Sequence, residues 1–194
     1  MSRTNVVSAL KIFVLASSVS AVVGCGGHQP WRMVREAPPP SPLRGAGPVT
    51  VSFDYSKLII GNQNEQDWVR SKTVQDADYP KKWADLKSSF ETHFVNGFGQ
   101  AWPRGATPAP AGGPGVHLVV TPTALNIGHY MVFASTPTVV ATNVVYAADG
   151  RDAEEISTNA TVFASVIEPS VFQHIPQVAA TIGRYSGKFL ASRN

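Results

Sequence analysis

The sequence predicts an α+β domain. The expected architecture is a two-layer sandwich: a mostly antiparallel four-stranded sheet with two helices on one face, in the order β-α-β-β-β-α. Three observations predict it. Val49, Val51, Phe53 and Tyr55 alternate with Thr50, Ser52 and Asp54, the period of a half-buried strand. Residues 80–98 and 175–192 place apolar side chains at helical spacing. Near the C-terminus, Asp149-Gly150 stands between two β-branched runs, and that dipeptide in that setting is the strongest short-range hairpin signal.

The leader comes first. Arg3 and Lys11 precede an apolar run from Ile12 to Val23 that is rich in small residues. This is the secretory-signal pattern. The run is shorter than the roughly 20 apolar residues a bilayer crossing needs, and Ser17, Ser18 and Ser20 weaken it as a permanent anchor. It closes on Val22-Val23-Gly24-Cys25. That tetrapeptide resembles the lipobox of bacterial lipoproteins. The resemblance implies that residues 1–24 are a signal peptide and that Cys25 becomes the acylated mature N-terminus. Cys25 is also the sole cysteine, so no internal disulfide competes for it. Two or more acyl chains anchor stably where one is marginal. Gly26 follows where the family often carries the aspartate of inner-membrane retention. The resemblance therefore implies the periplasmic face of the outer membrane, with the inner membrane or cell surface as alternatives.

Residues 25–47 read as the lipidated cysteine and a Pro/Gly-rich tether. Gly26-Gly27, Pro38-Pro39-Pro40-Ser41-Pro42 and Gly45-Ala46-Gly47 give extended, poorly packing backbone. Trp31 and Met33 interrupt it and are expected to dock on the domain rather than on lipid. Residues 48–194 form the periplasmic domain. Pro48–Ile60 is its first strand, and polar, aperiodic 61–79 a loop. The first helix, Pro80–Phe98, has the stripe Trp83, Leu86, Phe90, Phe94 and Phe98, with Pro80 in its first turn and Gly97 and Gly99 at its end. Residues 103–115 form a Pro/Ala/Gly surface loop. Val116–Ile127, Thr138–Tyr146 and Glu154–Ala164 are strands, with Pro122 marking an edge or a bulge. The last helix, Ile175–Ser192, starts with Pro176 in its first turn and carries the stripe Ile175, Val178, Ile182, Tyr185 and Phe189.

Two stretches invite a contact role. Ala179, Gly183, Gly187 and Ala191 repeat every four residues along the last helix. Interior helical glycine costs roughly 1 kcal/mol relative to alanine, so another backbone is expected close by. It belongs either to this domain's own sheet or first helix, or to a partner helix or second copy. Uncharged Tyr130-Met131-Val132-Phe133 is either core or an exposed surface for lipid, peptide or protein.

Chemistry is sparse. His28, His93, His117, His129 and His174 show no metal-ligand spacing, and Asp67, Asp76 and Asp78 fit no calcium loop. Gly183 to Lys188 is one residue short of a phosphate loop and lies late in a helix. No metal or cofactor is expected, and no nucleophile–base pair stands out in sequence. The leader removes two of the 16 basic side chains, leaving 14 against 13 acidic ones. That balance gives no support for nucleic-acid binding. The element order resembles small envelope lipoproteins such as LptE and the PqiC-type transport-auxiliary lipoproteins. It implies a non-catalytic adaptor or transport accessory, joined to the membrane through Cys25 and to an envelope protein or a second copy. A module binding lipid or another apolar ligand is the alternative, and a hydrolase a more distant one.

Overall fold

Two long strands joined at Asp149-Gly150 lie near the middle of the sheet, and the turn between them follows from its residues. Both have positive φ, 49° and 77°, the requirement of the type I′ turn that matches strand twist. The computed structural model describes residues 29–110, 114–128, 130–131, 134–163 and 171–194. In chain order the elements are β1 (Trp31–Arg35), β2 (Val49–Phe53), β3 (Ile59–Ile60), β4 (Gln63–Asn64), α1 (Glu65–Thr73), α2 (Tyr79–Ala101), β5 (Ala106–Pro108), β6 (Val116–Asn126), β7 (Tyr130–Met131), β8 (Ala134–Ser135), β9 (Pro137–Ala148), β10 (Arg151–Phe163) and α3 (Val171–Ala191).

The fold is α+β, but the sheet is larger than four strands and mixed. Its order is β1-β10-β9-β6-β2-β5, with β3 beside β6 and β4 beside β3, making eight strands; β7 and β8 form a separate two-stranded hairpin. The pairs β10–β9 and β9–β6 are antiparallel, as expected of most of the sheet, and β1, which was not expected as a strand, is antiparallel to β10. β2 instead runs parallel to both β5 and β6. Parallel neighbours need a long crossover, and the segment carrying α1 and α2 supplies it.

Side-chain alternation decides which face the helices cover. On β9, Thr138, Val140, Thr142, Val144 and Tyr146 are buried while residues 139, 141, 143 and 145 between them are half-exposed. On β6, Leu118 and Val120 face the same way. Leu125 keeps facing inward despite its odd number, because a bulge between Pro122 and Ala124 resets the parity. Pro122 thus marks a bulge in an interior strand. It falls where β6 exchanges one neighbour for another, since β2 ends opposite Val120 and β3 begins opposite Ala124. A missing N–H is tolerated at such a gap.

Both long helices pack on that inner face. The α2 stripe of Trp83, Leu86, Phe90, Phe94 and Phe98 is buried as its spacing predicts. Phe53 meets Phe94 edge-on at 5.5 Å, and Tyr146 meets Phe189 of α3 at 4.8 Å. Each such aromatic side chain contributes roughly 1.5–3 kcal/mol through burial. Tyr146 is fully buried and donates its hydroxyl to the Ser186 carbonyl at 2.8 Å; burial pushes its pKa well above the ordinary tyrosine value.

Several boundaries differ from expectation. The supposed tether enters the domain: β1 pairs with β10, Trp31 stacks edge-on against Phe189 at 6.0 Å, and Leu43 and Ala46 are core residues. Trp31 and Met33 dock on the domain, as expected of them. The first strand breaks after Phe53 into β2 and β3. The stretch 61–79 contains α1, whose surface buries no residue and so shows no apolar stripe. Its signal was its cap, the Asn64 side chain accepting from the Asp67 N–H at 2.9 Å. α2 runs through Gly97 and Gly99 to Ala101. The loop 103–115 contributes β5, a short edge strand. α3 begins four residues early, so Pro176 lies in its second turn.

Candidate functional site

The long helices α2 and α3 pack on the inner face of the sheet, and on its other face polar side chains of β2 and β6 meet. Thr50 and Ser52 of β2 lie beside His117 of β6, which pairs with Thr50 in register. The Ser52 hydroxyl is 2.8 Å from Nε2 of His117, and the Thr50 hydroxyl is 2.7 Å from Nδ1. The ring is 6% exposed, and burial pushes its pKa below the ordinary histidine value. A neutral ring is thus favoured, with one nitrogen accepting from a hydroxyl and the other donating to one.

The sequence showed no nucleophile–base pair because Ser52 and His117 are 65 residues apart and meet only through the parallel pairing of β2 and β6. The strand alternation of 49–55 did place Thr50 and Ser52 on one face. Acyl transfer would use Ser52 as nucleophile and His117 as base, with donors aimed at the developing oxyanion. A nearby backbone donor, the Asp54 N–H, is spent on the Val120 carbonyl at 2.9 Å. Thr50 stands where hydrolytic triads carry a carboxylate, so the ring gains orientation but no charge support.

A second candidate is an apolar cleft between helices and sheet, lined by Tyr55, Leu58, Leu86, Phe90, Val140 and Ile175 among others. Its volume is about 30 Å³, room for a water or two and far below the volume of an acyl chain. Lys87 closes its polar side, bonded to Glu65 at 2.6 Å. Burial, with Glu91 beside it, holds the Tyr55 hydroxyl protonated far above its usual range.

A third polar group closes the far end. Glu154 is fully buried, yet accepts from the Ser41 hydroxyl at 2.6 Å and from Arg193 Nε at 2.7 Å; Arg193 also reaches Glu36 at 3.0 Å. This fastens the N-terminal segment and the C-terminus to β10, and reads as a structural lock.

Of the residues singled out in sequence, Cys25 and the rest of the leader lie outside the described residues, as do Val132 and Phe133. Tyr130 and Met131 form β7, paired with β8. Ala179 and Gly183 face α2: a Cβ on Gly183 would fall onto the Phe94 carbonyl oxygen, and one on Gly187 would lie 2.8 Å from the Phe98 oxygen. Gly97 of α2 approaches the Ala180 carbonyl as closely in return. The backbone close to Gly183 and Gly187 is that of the chain's own α2, the neighbour named first of the two expected, rather than a partner helix or second copy. Ala191 lies outside the contact, exposed beyond the last close approach. Among the described residues no cluster of metal-ligating side chains occurs, and no helix is long and apolar enough to cross a membrane.

The class these features define is an α+β domain with a mixed sheet, helices on one face and a polar second face. No protein-family model matches the chain, and no curated protein does. Among solved structures it is similar to the PelC dodecamer from Paraburkholderia phytofirmans, at 11% identity and a TM-score of 0.42, covering 80% of this chain and 94% of that one. It is also similar to lipoprotein GNA1162 from Neisseria meningitidis, at 12% identity and a TM-score of 0.28, covering 72% of this chain and 98% of that one. At these identities and scores neither likeness assigns a role.

Proposed function

We propose that the protein is a lipid-anchored, non-catalytic accessory of the bacterial envelope, held at the membrane through Cys25 and acting by contact with another envelope protein. The observation that carries the reading is the leader ending in Val22-Val23-Gly24-Cys25, with the chain's only cysteine at the acylated position. The domain behind it supports the reading. The apolar cleft between its helices and sheet, about 30 Å³, has no room for an acyl chain. The outer membrane is the proposed location, following the Gly26 argument.

The Ser52–His117 contact favours one second reading, hydrolysis on the polar sheet face. Turnover of generic ester substrates, lost in both Ser52→Ala and His117→Gln, would establish it.

The test of the first reading is cross-linking in intact cells, with mass spectrometry of the captured proteins and of the N-terminal peptide. An acylated Cys25 and one dominant envelope partner are expected. A free Cys25 thiol, or no protein captured with Cys25 acylated, would overturn the anchor or the adaptor role respectively.

A further inference from the structure

Three segments converge on one buried carboxylate. Glu154 is fully buried on the inner face of β10, opposite Tyr146. A charge removed from water is stable only when its oxygens are satisfied. Oε1 accepts from the Ser41 hydroxyl at 2.6 Å, and Oε2 accepts from Arg193 Nε at 2.7 Å. The Arg193 guanidinium also reaches Glu36 at 3.0 Å and the Met33 sulfur at 3.6 Å, and lies 4.9 Å from the centre of the Phe189 ring. Met33 belongs to β1. Glu36 and Ser41 belong to the segment 36–47, which carries no helix or strand and joins β1 to β2. Those two strands lie on either side of β10, β9 and β6, so this strap crosses about 19 Å of sheet at the usual strand spacing.

The far end of the strap is also held by polar groups. The Asn194 side chain accepts from the Gly45 N–H at 2.7 Å, Arg104 donates to the Gly45 and Ala46 carbonyls, and Trp102 Nε1 donates to the Gly47 carbonyl at 3.1 Å. Leu43 and Ala46 are the buried apolar residues of the strap. In β1 no residue is more than half-buried, whereas β9 buries every second side chain from Thr138 to Tyr146. Segments that bury little apolar surface open at a lower free energy than the whole fold.

We propose that β1 and the strap open and close as one unit, latched by Glu154 and Arg193, while the rest of the fold stays intact. The coupling is geometric. Lifting β1 takes Met33 from Arg193; lifting the strap takes Ser41 from Glu154 and Glu36 from Arg193. Either movement lets water reach the same buried ion pair, so the departure of one segment weakens the hold on the other. In the open form β10 loses its edge partner, and residues 155–158 present an unpaired strand edge. The device therefore decides whether that edge is covered. It goes beyond the anchor reading and does not rest on Cys25.

The test is native-state hydrogen exchange on the full chain, read residue by residue across low urea concentrations. The probes are the β1 amides that bond to β10, and the strap amides of Arg44 and Ala46, which bond to the Ser41 and Leu43 carbonyls at 3.1 Å. One opening free energy and one urea slope are expected for both sets, each smaller than those of β9 and α2 amides. Ser41→Ala removes a half-exposed hydroxyl without touching the core, and should accelerate both sets by the same factor, about tenfold or more. Gly183→Ala acts on the α2–α3 contact instead. It should accelerate β9 and α2 amides and leave β1 and the strap unchanged. Separate openings for β1 and the strap, or acceleration of one set alone in Ser41→Ala, would overturn the unit. Exchange of both sets at the global free energy, moving with the core in Gly183→Ala, would overturn its independence from the rest of the fold.

Discussion

Gly183 is a position where a single atom would matter, as is Gly97 on the facing helix. A Cβ on Gly183 meets the backbone of Phe94 and Phe98, which cannot swing aside as a side-chain end can. Gly183→Ala should therefore cost about 1–3 kcal/mol by overpacking, read as a lower urea midpoint at unchanged slope. A second residue-scale prediction concerns Glu154. Arg193→Ala strands a buried carboxylate and should cost about 3–5 kcal/mol, with part recovered when Glu154→Gln is added. Thr142 offers the opposite sign. Its hydroxyl is buried with no partner, so Thr142→Val should stabilise by about 1 kcal/mol in thermal unfolding. His117 governs pH. Its native pKa is lowered, so as pH falls below 6.5 the unfolded chain takes up a proton that the native ring resists. Stability should be complete above that value and fall with pH until the native ring titrates. The slope of melting temperature between pH 7 and pH 5 should be shallower in His117→Gln.

At the scale of elements, β1 is the informative case. Residues 31–35 lie within a Pro/Gly-rich stretch that reads as a tether, but they complete the edge of β10 and bring Trp31 onto Phe189. Backbone amides of β1 that bond to β10 should exchange with solvent slowly, as strand amides do. Exchange at linker rates would return the segment to the tether. The parallel pairing of β2 with β6 is the other element-scale event. It alone brings Ser52 to His117, and it exists because the segment between the two strands is long enough to cross the sheet.

At the scale of the whole molecule, the two ends of the sheet differ in chemistry. One holds the exposed Phe163, Phe172 and Ile59; the other holds the charged turn and the Glu154–Arg193 lock, with exposed Val34 beside them. Cys25→Ala should remove the acyl anchor and move the protein from the membrane to the soluble fraction of lysed cells. Retention in the membrane fraction would mean that another contact holds it there.

The sequence by itself determined what depends on neighbours in the chain. The Asp149-Gly150 turn, the strand alternation of 49–53 and 156–160, and the α2 stripe were legible because local sterics and periodic burial fix them. The small-residue line at Ala179, Gly183 and Gly187 announced a close neighbour, though not which one. Tertiary structure decided the rest. α1 buries no residue and the strands β1, β3, β4 and β5 are too short to show a period, and they form because a partner surface is already present. The Ser52–His117 contact and the Glu154–Arg193 lock arise the same way. Each joins residues far apart in the chain, and only long-range pairing brings them together.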